Sequence, residues 1–173
     1  MPRYVALLRG VSPMNCRMAV LKRCLEAAGF TDVKTLLSSG NVAFSTPRAA
    51  SAAALQKRVE TAMLAGAGYR FATIVRSTAH LQQLLHAQPF ARHELPAGGK
   101  CVVTFLREPD AVVEVELPLT LDDATVLERS GGEVFCVYVP NDKGPAFMRL
   151  LEKAFGKSIT TRTLDTVARC AEA

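Results

Sequence analysis

The sequence predicts an α+β protein of two ferredoxin-like units, each of βαββαβ type, with antiparallel sheets packed by helices. Three observations carry this. Residues 1–77 alternate short apolar runs with amphipathic stretches in the order β-α-β-β-α-β. Residues 78–173 approximate the same order after an opening helix. Glycine, proline and small polar residues punctuate almost every junction.

Tyr4-Val-Ala-Leu-Leu8 reads as the first strand, and Arg9-Gly10 leads out of it into Val11-Ser12-Pro13-Met14. Pro13 constrains its neighbour and lacks a donor, so this stretch is a loop. Asn15 is expected to cap the helix that follows, with Met18, Leu21, Leu25 and Ala28 on its inner face. Gly29 closes that helix, and Phe30 can pack back on its last turn. Val33–Leu37 is the second strand, Ser39-Gly40-Asn41 its turn, and Val42-Ala-Phe44 the third strand. Thr46-Pro47 should open the second helix, with proline in the first helical position. Leu55, Val59, Ala62 and Met63 form its buried face, Gly66-Ala67-Gly68 stops it, and Phe71–Val75 is the fourth strand.

The unit boundary is expected at Arg76-Ser77, giving a basic unit 1–77 and an acidic unit 78–173. Ser77 caps a helix carrying Leu81, Leu84 and Leu85. Cys101–Leu106 is a strong strand. Residues 108–121 stay open: Val113–Leu117 alternates like a strand but Pro109 and Pro118 confine it, and as a crossover the stretch would complete the unit's order. A hairpin follows, from Ala124–Glu128 through Ser130-Gly131-Gly132 to Val134–Val139. Phe147, Leu150, Leu151 and Ala154 mark another helix, Ser158–Arg162 a short strand, and Asp165 the cap of a last helix.

Hydrophobic residues make up 49% of the 173, as in a globular chain. No run of 18 apolar residues occurs, so no transmembrane helix and no membrane partner are expected. The first residues enter a strand without the apolar core of a signal peptide. Cys16, Cys24, Cys101, Cys136 and Cys170 are odd in number and form no C-x-x-C pair, which suits reduced thiols in the cytoplasm. Residues 1–77 hold 11 Lys/Arg against 3 Asp/Glu, a net +8, whereas residues 78–173 net −3. A basic half fits an anionic partner, and equally a half that docks on acidic surface or keeps the chain soluble.

No complete catalytic, cofactor or metal motif is present, so catalytic residues, cofactors and metal ligands are all read as none. Gly98-Gly99-Lys100 opens a strand instead of a helix, the wrong context for a phosphate loop. His80, His86 and His93 lack the i, i+4 spacing of a zinc pair. Glu114 and Glu116 would share a strand face without a third ligand. What remains is polar and cationic: Arg9, Asn15, Arg17, Ser39 and Asn41 around the loops after strands 1 and 2, and Thr161 and Arg162 before the last helix. Arginines, hydroxyls and backbone N–H groups at a helix start are the parts of an anion site. The same groups also serve simply to fix loops.

Tyr4-Val-Ala-Leu-Leu-Arg-Gly10, Ala28-Gly-Phe-Thr-Asp-Val33, Ser39-Gly-Asn-Val42, Val103-Thr-Phe-Leu106 and Thr160-Thr-Arg162 with Thr166-Val167 resemble the bacterial family called domain of unknown function 1697. The resemblance implies two ferredoxin-like α+β units and no established activity. Relatives often carry Asn-Val-Gly-Gly and a longer basic loop after Arg-Gly, where this chain has Val11-Ser-Pro-Met-Asn-Cys16.

Three functions of different classes follow. The first is binding of an anionic ligand, a phosphate-containing small molecule or nucleic acid, near the loops after strands 1 and 2. An RNA-binding sheet would use Tyr4 and Phe44 as stacking aromatics. The second is a protein-interaction module or homodimer, with a sheet edge as one route to pairing. The third is a small phosphatase-like hydrolase with Arg9 on phosphate and Asn41 on water, an analogy of fold alone.

Overall fold

A computed structural model describes residues 1–142 and 146–173. They form two compact units, residues 1–84 with 168–173, and residues 85–167.

The first unit contains β1 (Arg3–Leu8), α1 (Met18–Ala27), β2 (Thr31–Leu36), β3 (Asn41–Ser45), α2 (Ala52–Ala67) and β4 (Thr73–Ser77). Its antiparallel sheet has the order β2-β3-β1-β4, the ferredoxin-like arrangement. Tyr4, Ala6, Leu8, Phe44 and Val75 point to the face that meets Leu21 and Leu25 of α1 and Leu55, Val59 and Met63 of α2. Both helices therefore cover one face. Tyr4 and Phe44 are 8% and 0% exposed, stacked 5.9 Å apart within that core. Val5, Leu7, Ala43 and Ile74, on the other face, are buried too. The stacking-aromatic arrangement expected of an RNA-binding sheet is thus absent, because the strand period of two turns both rings toward the helices.

Local chemistry sets the helix ends. Gly29 lies at φ +90°, the Gly29 N–H donates to Glu26 O, and the Phe30 N–H to Leu25 O. This is a Schellman closure of α1, and it turns Phe30 inward onto Phe44, 4.5 Å between centroids. The second helix does not start at Pro47. Its cap is Ser51, whose hydroxyl accepts from the Ala54 N–H, while the Thr46 hydroxyl donates to Arg48 O and extends the loop.

Beyond β4, α3 (Thr78–His86) follows without a gap, its His80 N–H received by the Ser77 hydroxyl. The units divide after Leu84 instead of Ser77, because the start of α3 belongs with the first sheet: Thr78 Oγ1 donates to Arg3 O. The last residues return as well. Arg3 Nε donates to Ala173 O at 2.8 Å and Gln82 Nε2 to Ala171 O at 3.0 Å.

The second unit holds β5 (Lys100–Leu106), β6 (Leu119–Leu121), β7 (Ala124–Ser130), β8 (Glu133–Tyr138), α4 (Ala146–Phe155) and β9 (Ile159–Thr163). α5 (Leu164–Ala171) starts there and ends in the first unit. The antiparallel order β6-β7-β8-β5-β9 is the first unit's order with β6 added at the edge. Val113–Leu117 is not a strand: regular pairing in the crossover is confined to β6. Glu114 and Glu116 stay exposed while Val113, Val115 and Leu117 are half-buried, Leu117 against the core, so the stretch has an apolar side but no neighbouring strand to pair with. Asp165 lies in the first turn of α5, and the cap is Thr163, whose hydroxyl accepts from the Thr166 N–H.

Candidate functional site

At the end of β1 the backbone itself assembles a corner. The Leu8 N–H donates to Gly40 O and the Arg9 N–H to Ala72 O, both at 2.8 Å. The loop after β1, the β2–β3 turn and the entry to β4 therefore meet at one end of the first sheet. In the loop, the Asn15 and Cys16 N–H groups both donate to Ser12 O, forming a separate turn. Asn15 then braces it: its Oδ1 accepts from the Ser12 N–H at 2.9 Å and its Nδ2 donates to Gly10 O at 2.7 Å. That turn holds Asn15 two residues short of the helix, so Asn15 is not the cap of α1. The cap position falls to Arg17, which makes no side-chain capping bond, and the first turn carries no acidic residue. The helix thus opens without a capping side chain or an acidic residue, at the exposed Arg17, with its N-terminal dipole uncompensated by side chains.

Across the corner, the turn between β2 and β3 holds Leu37 at φ +59° and Gly40 at φ +84°. Asn41 is fully buried, and its amide donates to Leu36 O and Ser39 Oγ, each at 3.0 Å. Both amide hydrogens are thereby committed to holding the turn, which leaves none to orient a water. Ser39 is exposed, as are two large apolar side chains at this end, Met14 (95%) and Leu37 (46%).

Thr161 and Arg162 lie on β9 of the second unit. Thr161 Oγ1 is 2.7 Å from Thr104 Oγ1 on the paired strand. Arg162 Nη1 donates to Thr160 Oγ1 at 2.7 Å and Thr161 O at 2.9 Å. Hydroxyls and guanidinium here tie the edge strand to itself and to β5.

The other sequence candidates resolve into structure. Gly98 at φ +73° and the Gly99 N–H to Pro96 O bond make the glycine pair a turn into β5. His80 and His86 are exposed, and His93 Nε2 lies 3.0 Å from Glu128 Oε1. Among the described residues, no three His, Cys, Asp or Glu side chains converge as a metal site would require. None of the five cysteines forms a disulfide, and burial pushes the Cys136 thiol up to about 12.

Glu128 has a further consequence for stability. The His93 hydrogen bond, and after it Arg92 at 2.8 Å, holds its carboxyl below the usual carboxylate range, against the upward push of desolvation. A depressed folded-state pKa contributes stability above the unfolded value, and that contribution is lost as pH falls through the folded one. In urea unfolding between pH 7 and pH 3, wild type should exceed Glu128→Gln in stability near neutrality. The difference should vanish in acid below about pH 4. A difference independent of pH would show that the carboxylate charge is not what the pair uses.

Sequence reasoning missed one feature, a groove of ≈ 570 Å³ between α1 and α2 in the first unit. Its floor is Cys24, Ala62 and Gly66, with Lys57 and Arg58 at one end. The helices approach so closely that a Cβ on Gly66 would sit 2.5 Å from Cys24 Sγ. The available signal was the cluster of small residues at the C-terminal ends of both helices.

Two antiparallel sheets, the first built as βαββαβ with a cationic loop corner, define an α+β protein without a membrane-crossing helix among the described residues. Within that class, the chain belongs to the family described as protein of unknown function (DUF1697), which it matches over residues 1–135. The solved structure of the conserved bacterial protein SP0830 from Streptococcus pneumoniae is similar in fold, with a TM-score of 0.69 at 20% identity. That similarity covers 99% of this chain and 97% of the other. No curated protein matches the chain.

Proposed function

We propose that this protein binds a phosphate-bearing ligand at the corner formed by the β1–α1 loop and the β2–β3 turn, acting in the cytoplasm. The observation that carries the reading is the start of α1, which has neither a capping side chain nor an acidic residue and lies beside Arg17. Uncapped N–H groups at the positive end of a helix favour an anion, and a guanidinium matches phosphate oxygens. Arg9, at the root of the same loop, and the exposed Ser39 hydroxyl add a charge and a donor. Asn15 supports the site indirectly, by bracing the loop that presents it. Net charge of +8 over residues 1–77 draws anions to this unit. Five cysteines outside any disulfide suit a reducing compartment. The phosphate can belong to a free nucleotide, a sugar or acyl phosphate, or a nucleic-acid backbone.

Thermal-shift titration separates these sources. ATP, glucose 6-phosphate, acetyl phosphate and a 12-nucleotide single strand would be compared at low and moderate salt. A ligand at 100 times its dissociation constant stabilises by ~2.7 kcal/mol, a rise of roughly 5–10 °C. Arg17→Ala should remove most of that rise, and Arg9→Ala should reduce it. A small-phosphate shift that survives moderate salt identifies a built pocket, whereas an oligonucleotide shift lost with salt identifies backbone electrostatics. Shifts undiminished in both variants, or absent with every probe, would remove this site.

A further inference from the structure

We propose that the groove between α1 and α2 is a docking site for an acidic amphipathic helix of a partner protein. Its shape comes first. Along α2 the groove runs from Lys57 to Gly66, about 14 Å at 1.5 Å per residue, or two and a half helical turns. The exposed Ala27, Ala28 and Ala65 of its walls leave a straight trough where larger side chains at i, i+4 and i+7 of a third helix can seat.

Charge selects the occupant. Lys57 and Arg58 stand at one end of the groove, and α1 adds Lys22 and Arg23 on its exposed surface. The one exposed carboxylate on these two helices, Glu26, lies 3.8 Å from Lys22 and is already matched. Arg58 is also held in place: its Nη2 donates to Ala28 O at 3.4 Å, and its guanidinium carbon sits 4.2 Å from the Phe30 ring centroid. A positioned guanidinium at the mouth of an apolar trough favours a carboxylate that arrives with apolar side chains behind it.

The same arithmetic argues against a second copy of this chain. Among the described residues, none of the five helices carries a net negative charge: α1, α2 and α4 are each net positive, and α3 and α5 are neutral. Self-docking of α1, α2 or α4 would set like charges together, and α3 and α5 bring no excess of carboxylates to the basic groove. The complementary surface belongs to another protein.

The test uses the full chain, ¹⁵N-labelled, and two designed 18-residue helical peptides. Both carry Leu and Ala on one face, one with Glu and the other with Lys on the opposite face. The Glu peptide should bind saturably and move the amide resonances of Ala27, Ala28, Thr61 and Ala65. Lys57→Glu with Arg58→Glu should weaken it at least tenfold, and so should Ala65→Phe, which fills the trough from an exposed position. Ala65→Ser should bind as wild type does. Should Ala65→Phe lower the melting temperature, the charge-reversed pair, on exposed side chains, still decides the matter. Equal binding of the Lys peptide, shifts elsewhere on the protein, undiminished binding in both blocking variants, or no saturable binding would each overturn the proposal. So would self-association in sedimentation that Ala65→Phe abolishes, since the occupant would then be a second copy.

Discussion

Replacing Phe44 with alanine should destabilise the first unit by ~3–5 kcal/mol, measured as the loss of unfolding free energy in urea. The ring is fully buried near the end of β3, among core residues of the sheet and of both helices. Tyr4 stacks at 5.9 Å from the neighbouring strand, and Phe30 packs at 4.5 Å from the chain leaving α1. Truncation removes the transfer energy of the ring and opens a cavity that neither Tyr4 nor Phe30 can fill. Tyr4 is fixed by its hydroxyl, which accepts from the Ala50 N–H at 3.1 Å. Phe30 is fixed by the Schellman closure behind it. Since whole domains are stable by ~5–15 kcal/mol, the variant should lie near its unfolding threshold. A loss under ~1.5 kcal/mol would mean that the core collapses around the gap and that the aromatic triad is not the organising contact.

Gly40→Ala should cost ~2–4 kcal/mol, against ~1 kcal/mol for Gly10→Ala. Both glycines lie at similar positive φ, +84° and +81°, so the backbone penalty of a β-carbon is nearly the same. They differ in what that carbon meets. At Gly10 nothing lies within 4 Å, whereas at Gly40 the new atom would sit 2.9 Å from Val11 Cβ and 3.0 Å from Leu8 O. Val11 can give way only by moving the β1–α1 loop. The hydrogen bond from the Leu8 N–H to Gly40 O would be strained at the same time. The Gly40 variant should therefore also weaken the phosphate binding proposed above, through displacement of the loop that presents Arg17. Equal losses in the two variants would show that conformation alone, without the close approach, requires glycine here.

How much of this was legible in the sequence depends on the range over which each signal acts. The βαββαβ order of the first unit was, since apolar periodicity and the terminating Gly29 are local and the burial agreed with them. The cap of α1 was not. Asn15 has the right chemistry, but Ser12 offers its neighbours a competing turn, and the choice between two local hydrogen-bond patterns is made by the corner they pack into. Pro47 failed as a helix start for a similar reason, because Ser51 offers the capping hydroxyl nearer the apolar run. Val113–Leu117 alternated as a strand should, and its apolar side is half-buried, yet alternation without a neighbouring strand to pair with does not make one. Arg9, Asn15, Arg17, Ser39 and Asn41 were picked by residue type, and they lie on or beside the loop after β1 and the β2–β3 turn, two segments that meet at the end of β1. Type alone did not separate Arg17, which faces solvent, from Asn41, which is buried and holds the turn. The α1–α2 groove is a property of how two helices approach, and no single stretch encodes it.

The return of residues 168–173 to the first unit sets an order of events during synthesis. Arg3 and Gln82 leave the ribosome well before Ala173 and Ala171, whose carbonyls accept from Arg3 Nε and Gln82 Nε2. At ~5–20 residues per second, residues 85–167 take on the order of 4–17 s to emerge in between. Through that interval Arg3 Nε and Gln82 Nε2 lack these two acceptors, although Arg3 Nη1 already has Asp32 O, and the first unit is complete only once residues 168–173 have been made.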